Sequence, residues 1–281
     1  MTSTLPFTPS FGATSALGRS IRLRRLFGED GRAVVVALDQ AVPRGVAPRL
    51  AAISETWAQI SAGEPDAVTV TKGIAPVLFD AGRPSPWILK ASSFSVDFHL
   101  HHDATIASVD EAVRLGADAV AVGISAGSSQ QAQMLEMLAR VTERAAELGL
   151  PTVCHAYPSG ELWGDRKGSA ESVLYAARAA SELGVDIIKT WYTGSVESFR
   201  QVVDGTPGLV MVAGGAKLDS DLEVLQFAES VVDAGAAGLT IGRNVWGADD
   251  PTGMVRALRA IVHDGRSATE AAQAHLAAQP A

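Results

Sequence analysis

A lysine lies within a short apolar run in the second half of the chain. Lys189 follows Ile187 and Ile188 in a segment rich in β-branched residues, with Gly184 before it and Gly194 after it. Such a run is typical of a buried strand. Apolar surroundings disfavour a charged amine, which lowers its pKa from about 10.4 and yields a nucleophile for carbonyl carbons. The alternative is a strand-end lysine that reaches solvent along its alkyl stem.

Other reactive side chains also follow apolar runs. They are a carboxylate, two further amines, an imidazole and a phenol: Asp39, Lys72, Lys90, His155 and Tyr157. Asp39 is either a general base or a turn aspartate. Tyr157 either passes a proton to a substrate hydroxyl or packs at a rim with its own hydroxyl in water. His155 binds substrate, does acid–base work or is structural. Lys72 and Lys90 bind an anion, lower the pKa of the central lysine, or merely end their strands.

Two glycine-containing turns follow the last two apolar runs. Gly214 and Gly215 stand in AGGAK, and Gly242 and Arg243 stand in GRN. Backbone N–H groups of such turns can approach an anion, and barrel proteins often bind phosphate at the corresponding loops. An arginine adds a bidentate charged contact. The paired turns therefore favour a phosphate site over two ordinary tight turns.

These residues require a scaffold that brings strand ends together. Eight apolar runs alternate with longer helical patterns, at residues 33–38, 67–71, 87–90, 119–124, 152–156, 186–190, 209–213 and 238–241. Three segments, LGADAVAVG, LGVDIIKTW and AGAAGLTIG, repeat a helix, a glycine and a strand. Strands that are apolar throughout belong to parallel sheets covered on both faces.

The pattern predicts an α/β fold of the (β/α)8 TIM barrel type, whose active site lies at the C-terminal strand ends. An open doubly wound sheet is the alternative. It is disfavoured because ALDQAVPRG stands where a GxGxxG turn would follow the first strand.

Composition limits the remaining possibilities. The 281 residues, 47% of them hydrophobic, suit one large domain, and we assign residues 1–20 to a flexible arm and residues 21–281 to a single (β/α)8 domain. The net charge of −8 argues against a nucleic-acid partner. No secretory signal and no run of roughly 20 apolar residues is present, so we expect a cytoplasmic protein without a membrane partner. The lone Cys154 suits a reducing compartment.

Two polar clusters have open interpretations. The basic run IRLRRLF, residues 21–27, predicts a short helix whose arginines cover a barrel end, meet another subunit, or are solvated. His99, His101 and His102 have no carboxylate or cysteine partner at metal-like spacing, which favours a surface loop over a metal site.

Several motifs, in order, resemble the archaeal-type class I fructose-bisphosphate aldolase family, which includes aminodideoxyheptulosonate synthases and a phospho-autoinducer-2 thiolase. The motifs are IRLRRLFGEDGRAVVVALD, TKG, LGADAVAVGIS, HAYPSG, DIIKTWYTG, AGGAK and IGRN. The resemblance implies a Schiff base on Lys189, with Asp39 and Tyr157 assisting. It also implies phosphate at the two glycine turns, and a homo-oligomer for which the family's precedent is a decamer.

The chain departs from the family pattern near the expected mouth. Gln40 and Ala41 follow Asp39 where the family usually has His-Gly. Ser159 stands where an arginine is common, and Ala216 where a proline is common. These changes leave the lysine chemistry intact and leave the substrate open.

The resemblance and the residues together predict a class I aldolase or transaldolase acting on a phosphorylated keto sugar or keto acid. An imine on Lys189 would withdraw electrons from the breaking C–C bond, so no cofactor and no metal is expected. An acyl-transferring thiolase of the same family is one alternative. A non-catalytic barrel that binds a phosphorylated metabolite is another.

Overall fold

The computed structural model describes residues 13–79, 85–94 and 103–277. Eight strands form a parallel barrel, and their bounds are Ala33–Ala37 (β1), Ala67–Val70 (β2), Trp87–Lys90 (β3), Ala119–Ser125 (β4), Thr152–Tyr157 (β5), Ile187–Thr190 (β6), Leu209–Ala213 (β7) and Gly238–Ile241 (β8). The barrel closes in the order β1-β8-β7-β6-β5-β4-β3-β2. The predicted (β/α)8 barrel is confirmed, and each predicted run matches its strand to within one residue at either end.

One helix, α1, precedes the first strand, and the others follow strands of the barrel. Their bounds are Ala13–Leu26 (α1), Ala41–Arg44 (α2), Pro48–Ala51 (α3), Ile53–Ala62 (α4), Ala75–Leu78 (α5), Val109–Arg114 (α6), Gln131–Leu148 (α7), Ala170–Glu182 (α8), Val196–Asp204 (α9), Asp221–Asp233 (α10), Arg243–Trp246 (α11), Pro251–Val262 (α12) and Ala268–Ala277 (α13), with a 3-10 helix at Glu161–Arg166. Several begin at a side chain that accepts an N–H of the first turn, as Ser169 does for α8 and Asp250 for α12. Among the described helices, none combines the length and apolarity that crossing a bilayer requires.

Alternate strand residues form two apolar layers, because successive side chains point to opposite faces. In β6, Ile187 belongs to the layer inside the barrel, with Val153 and Met211. Ile188 belongs to the layer between strands and helices. The next residue, Lys189, therefore faces inward at the C-terminal end of its strand.

Aspartates that precede three of the strands have a structural role at the opposite end of the barrel. Asp66, Asp118 and Asp186 each precede a strand, and each accepts a backbone N–H from the start of the strand before it. The donors are Val34 at 2.7 Å, Trp87 at 3.1 Å and Thr152 at 2.8 Å. These carboxylates tie neighbouring strands together at the N-terminal end of the barrel.

Helix α1 closes this lower end. Arg19 forms a buried ion pair with Asp186, and Arg25 lies 3.0 Å from Asp118. Leu26 and Phe27 pack against the inner layer of the barrel. The sequence left three interpretations of the arginines in residues 21–27. The ion pair of Arg25 with Asp118 supports the one in which they cover a barrel end.

The predicted flexible arm is corrected in part by α1. Residues 13–20, assigned to the arm, form the first turns of the helix, because Arg19 is drawn into the barrel base by Asp186. Residues 1–12 lie outside the described residues. So do His99, His101 and His102.

A small hairpin interrupts the alternation of strands and helices. Ser92–Phe94 and Asp103–Thr105 pair antiparallel just after β3. The sequence did not predict this element. It matters because its side chains reach the top of the barrel beside β4.

The buried pair at the barrel base should contribute strongly to stability. We expect Asp186→Ala to lower the free energy of unfolding by about 3–5 kcal/mol, because the Arg19 charge loses its carboxylate and Thr152 loses its acceptor. Urea unfolding of the full chain measures this change. Asp110→Ala is the matched control, since it removes an exposed carboxylate paired with Arg144. Equal losses in both variants would contradict the assigned role.

Candidate active site

A cavity of about 330 Å³ opens at the C-terminal ends of the strands. Nine of the ten site residues predicted from the sequence line it. They are Asp39, Lys90, His155, Tyr157, Lys189, Gly214, Gly215, Gly242 and Arg243. They come from six different strands or the turns that follow them, so the closed barrel is what brings them together.

Lys72 is the predicted site residue that does not line the cavity. Its side chain is 48% exposed, and its Nζ lies 3.2 Å from Oε1 of Glu111. In β2, Val68 and Val70 face the outer layer, and Lys72 continues their alternation. The prediction that Lys72 binds substrate is therefore corrected: it is a surface ion-pair partner.

The Lys189 side chain is only 6% exposed and lies in the cavity. Burial lowers its pKa to about 8, with Lys90 adding to the decrease and Asp39 opposing it. At pH 7 about one such amine in ten is neutral, against about one in three thousand for an ordinary lysine. The amine is thus held among other side chains rather than in bulk water, and it can act as a nucleophile.

A carboxylate and a phenol line the same cavity as this amine. Asp39, at the end of β1, interacts electrostatically with both Lys189 and Tyr157. Burial raises the pKa of Tyr157, and the Asp39 charge raises it further. The Trp191 ring stacks on Tyr157 at 5.5 Å between centroids and 20° between planes. Tyr157 is therefore a fixed, protonated phenol that can donate a proton.

His155 and Lys90 lie at the floor of the cavity, both almost fully buried. Burial, and then the charges of Lys189 and Lys90, hold the pKa of His155 well below its ordinary value. The Nζ of Lys90 donates to Oγ of Ser92 at 3.0 Å. The floor thus combines the neutral imidazole of His155 with the Lys90 side chain, which is held by its hydrogen bond to Ser92.

The glycine turns after β7 and β8 lie side by side. Gly215 has a φ of 63°, which glycine adopts without strain. A Cβ on Gly242 would lie 2.7 Å from the carbonyl oxygen of Ala37, so the backbone there approaches β1 too closely for a side chain. Arg243 donates through Nη2 to the carbonyl of Gly215 and so joins the two turns.

Arg243 has the features of an anion ligand. Its Nε is buried and makes no hydrogen bond with any described residue. Burial lowers its pKa, and the nearby charge of Arg44 lowers it further. An anion in the cavity would satisfy the free Nε and relieve the repulsion between the two arginines.

Sequence reasoning missed the residue that holds these turns in place. The side chain of Asn244 donates to the carbonyls of Gly214 at 2.8 Å and Ala216 at 2.9 Å. It also accepts the N–H of Leu218 at 2.9 Å. The available signal was an asparagine directly after the arginine of GRN, since a buried amide can bind several backbone groups of a loop.

Other lining residues were also missed as site residues. They are Pro43, Arg44, Ser93, Phe94, Lys167, Trp191, Ala213 and Thr240. The alternation that places Lys189 inside also places Trp191 inside, two residues later. Gln40 and Ser159, the departures from the family pattern, both line the cavity as expected. Ser159 Oγ lies 2.5 Å from Oγ of Ser125, so its hydroxyl is bound within the wall.

Cys154 is not among the residues that line the cavity. Cys154 faces the outer apolar layer, and burial raises the pKa of its thiol. Within residues 13–79, 85–94 and 103–277, no three His, Cys, Asp or Glu side chains are grouped so as to hold a metal ion.

Comparison with known proteins gives consistent matches. A family model described as DeoC/LacD family aldolase matches residues 33–248. The 2-amino-3,7-dideoxy-D-threo-hept-6-ulosonate synthase of Halobacterium salinarum is 36% identical, over 88% of this chain and 92% of that protein. The 3-hydroxy-5-phosphonooxypentane-2,4-dione thiolase of Escherichia coli is 30% identical, over 97% of this chain and 91% of that protein.

Solved structures give the same picture. An archaeal fructose 1,6-bisphosphate aldolase superimposes with a TM-score of 0.80 at 32% identity, covering 88% of this chain and all of that one. A Schiff-base-forming fructose-1,6-bisphosphate aldolase, studied through its reaction intermediates, superimposes with a TM-score of 0.80 at 31% identity, covering 87% of this chain and all of that one.

The burial of Lys189 predicts a measurable titration. We expect its reaction with an amine-selective reagent to rise with pH through a midpoint near 8, because only the neutral amine reacts and burial favours that form. Peptide mass spectrometry after brief labelling at a series of pH values measures the midpoint. A midpoint near the ordinary lysine value of about 10.4 would mean that the amine is hydrated.

Proposed function

We propose that this chain, which belongs to the DeoC/LacD aldolase family, is a class I aldolase or transaldolase that forms a Schiff base between Lys189 and a phosphorylated keto substrate. The resemblance drawn from the sequence motifs is confirmed by the family match and by the relatives. The chain is an enzyme of the aldolase type. The observation that carries the specific proposal is the buried amine of Lys189, with its lowered pKa, in one cavity with Tyr157, Asp39 and the glycine turns.

The proposed reaction begins with the neutral form of Lys189. The amine attacks the substrate carbonyl, and the carbinolamine loses water to give an iminium ion. Asp39 assists the proton transfers of this step, since its carboxylate interacts with both Lys189 and Tyr157. The iminium ion then withdraws the electrons of an adjacent C–C bond as that bond breaks.

Tyr157 is the proposed proton carrier at the reacting hydroxyl. In the direction of synthesis, an enamine attacks an aldehyde and the phenol gives its proton to the developing alkoxide. In the direction of cleavage the same proton returns. The raised pKa of Tyr157 supports the donor role, because the phenol stays protonated at neutral pH until an alkoxide forms.

The proposed phosphate site is formed by Gly214, Gly215, Gly242 and Arg243. The Nε of Arg243, which has no hydrogen-bond partner among the described residues, and the neighbouring charge of Arg44 support it. Lys90 and His155 complete the proposed substrate-contacting set at the floor. The substrate is proposed as a phosphorylated keto sugar or keto acid, as the names of the aldolase and synthase relatives suggest.

A second candidate is favoured by one relative. The Escherichia coli protein that shares 30% identity over nearly the whole chain is named a thiolase. An acyl-transferring reaction would begin at the same lysine and end on a thiol acceptor. Product analysis with and without coenzyme A separates the two, because an aldolase product forms without a thiol.

Two further predictions from the sequence belong to this proposal, a homo-oligomer and a cytoplasmic location. Leu17 and Ile21, exposed on one side of α1, support the first, because packing against another subunit would bury them. Sedimentation velocity measures the oligomeric state.

Borohydride trapping tests the proposed lysine. We expect reduction in the presence of dihydroxyacetone phosphate, fructose bisphosphate or another ketone phosphate to fix an adduct on the peptide that contains Lys189. Lys189→Met should lose the adduct and lower turnover by at least about 10³-fold, because no other amine replaces the nucleophile. Lys217→Met is the control, since Lys217 binds a backbone carbonyl outside the cavity. An adduct on another lysine, or none with any ketone phosphate, would defeat the proposal.

Arg243 offers a test of the phosphate site. We expect Arg243→Met to raise KM for the phosphorylated substrate about 10- to 100-fold, because charge-assisted hydrogen bonds to the phosphate are lost. The reaction of the unphosphorylated ketone should change little. Arg200→Met is the control, as Arg200 contacts only a backbone carbonyl on the barrel surface among the bonds described. Equal losses with both substrates would argue against phosphate binding at this residue.

A further inference from the structure

A histidine at the base of the barrel lies between two carboxylates. His263 directly follows the last residue of α12. Its Nδ1 lies 3.0 Å from Oδ2 of Asp30, and its Nε2 lies 2.9 Å from Oδ2 of Asp66. Asp30 belongs to residues 27–32, the joining segment between α1 and β1, and Asp66 directly precedes β2. One imidazole ring therefore links three separate parts of the chain, and none of these three residues lines the cavity.

Both contacts of His263 are hydrogen bonds only while the ring carries its second proton. An ionised carboxylate has acceptors alone, and a neutral imidazole has one donor nitrogen. The hydrogen bond with Asp66 raises the pKa of His263, and the bond with Asp30 and both negative charges outweigh the opposing effect of burial. The C-terminal end of a helix also favours a cation. The folded chain thus holds this proton more tightly than the unfolded chain does.

Asp66 has other partners that fix it in place. Its carboxylate accepts the N–H of Val34 at 2.7 Å and pairs with Arg259 of α12. Burial alone would raise the pKa of Asp66, but the hydrogen bonds from His263 and Val34 lower it on balance. The remaining charged groups beside the ring, apart from Arg32, are exposed: Glu29, Glu64, Arg256, Asp264 and Arg266.

Asp30 depends more on the ring than Asp66 does. Its side chain is 31% exposed, against 10% for Asp66. The other bond described for its carboxylate comes from the N–H of Arg32, which belongs to the same joining segment. When His263 has a single donor left, the better-fixed Asp66 should keep it. Loss of the proton therefore separates the ring from Asp30.

The joining segment is shaped to approach the ring. A Cβ on Gly28 would lie 2.8 Å from Oδ1 of Asp30 and 3.1 Å from Cε1 of His263, so a side chain there would crowd both. The N–H of Gly28 donates to the carbonyl of Arg32 at 2.8 Å and closes the segment into a turn. Phe27, at the start of the segment, packs against the inner layer of the barrel. What holds the turn therefore also holds the residues that close the base.

We propose that the proton of His263 controls the closure of the barrel base. With the proton, His263 binds Asp30 and Asp66 together and fastens the joining segment to α12 and β2. Without it, the ring keeps Asp66, and the joining segment opens at Asp30. The device is a pH-dependent closure, of the kind for which histidine is suited.

The bonds of His263 stabilise the fold at lower pH and lose this effect at higher pH. Because the pKa of His263 is raised on folding, the folded chain keeps the proton in a pH range where the unfolded chain, with a pKa of about 6.5, releases it. The stabilisation is complete below about pH 6.5 and is lost as the pH rises through the folded pKa.

Amide hydrogen exchange of the joining segment tests the proposal. Peptide mass spectrometry compares the full-length wild-type chain with His263→Gln at a series of pH values. The ratio of their exchange rates cancels the direct effect of pH on amide chemistry, because both chains have the same residues in this segment. We expect the variant to exchange about tenfold or more faster at pH 6, where a bond between charged groups is missing. Well above the folded pKa of His263 the ratio should approach one.

A second variant separates the proton from the contact. Asp30→Asn keeps an acceptor oxygen but removes a negative charge, so it should lower the pKa of His263. Exchange of the imidazole Cε1 hydrogen, which follows the protonation of the ring, measures this pKa in the same peptides. Asp110→Asn is the matched control, since Asp110 is an exposed carboxylate that pairs with Arg144, and it should leave the pKa of His263 unchanged.

The outcomes are distinct. An exchange ratio that is the same at every pH would mean that the proton does not control the segment, and a ratio of one throughout would mean that His263 does not hold it. Either result overturns the proposal, as does a pKa of His263 at or below about 6.5. If His263→Gln does not fold, Asp30→Asn replaces it, with faster exchange than wild type expected at pH 6 and equal exchange at high pH. The test involves neither substrate nor Lys189, so its result is independent of the proposed function.

Discussion

The burial of one amine inside a closed barrel is the constraint on which the rest of the structure depends. Moving a lysine out of water is unfavourable for its charged form, and that cost appears as the lowered pKa of Lys189. The pKa stays lowered only if water is excluded at the base of the barrel as well as at its sides. Leu26 and Phe27 of α1 pack against the inner layer at the base, and the inward residues of the strands fill the space between base and mouth. Asp39 opposes the decrease in pKa, so the amine is weakened as a base without being isolated from a proton acceptor.

The base of the barrel carries stabilising bonds, and its mouth carries the residues of the candidate active site. At the base, the carboxylates of Asp66, Asp118 and Asp186 accept hydrogen bonds from backbone N–H groups and pair with cations. At the mouth, the cavity is lined by more cations than anions, although the chain as a whole carries a net charge of −8. The net charge of the chain therefore does not indicate the charge of a ligand in the cavity, because Asp39 is the one acidic residue among the described residues that line it. The aspartate that precedes three of the strands therefore lies at the base of the barrel and not at the cavity.

The alternation of inward and outward side chains along the strands explains most of the site residues that the sequence could predict. It also explains why Lys72 differs from the prediction. Inward residues of β5 are Val153, His155 and Tyr157, and the same rule places Lys189 and Trp191 inside after Ile187. Lys72 and Lys90 look alike as strand-end lysines, yet Lys90 follows the inward alternation of β3 and Lys72 follows the outward alternation of β2. Applying the rule to the lysines would have separated them. The contacts of Ser92 and Asp103 with Lys90 could not be predicted, because nothing local in the sequence indicates that these residues meet. The first turns of α1 were missed for a similar reason, since Arg19 is fixed by Asp186, 167 positions away.

Reaction and recognition depend on different parts of this chain, and that bears on the departures from the family pattern. An imine needs a buried amine, a carbonyl and a proton carrier, and these come from the barrel strands themselves. Turns and inserted segments contribute other residues around the cavity, such as Arg44, Lys167 and the hairpin that holds Lys90. Ser159 stands where the resemblance led us to expect an arginine, and its hydroxyl binds Ser125 in the wall of the cavity, so it offers no charge. Substitution at such positions can change the substrate without disturbing the amine, since none of them sets the alternation that places Lys189 inside. The family relationship therefore supports an enzyme of the aldolase type and does not identify the molecule on which it acts.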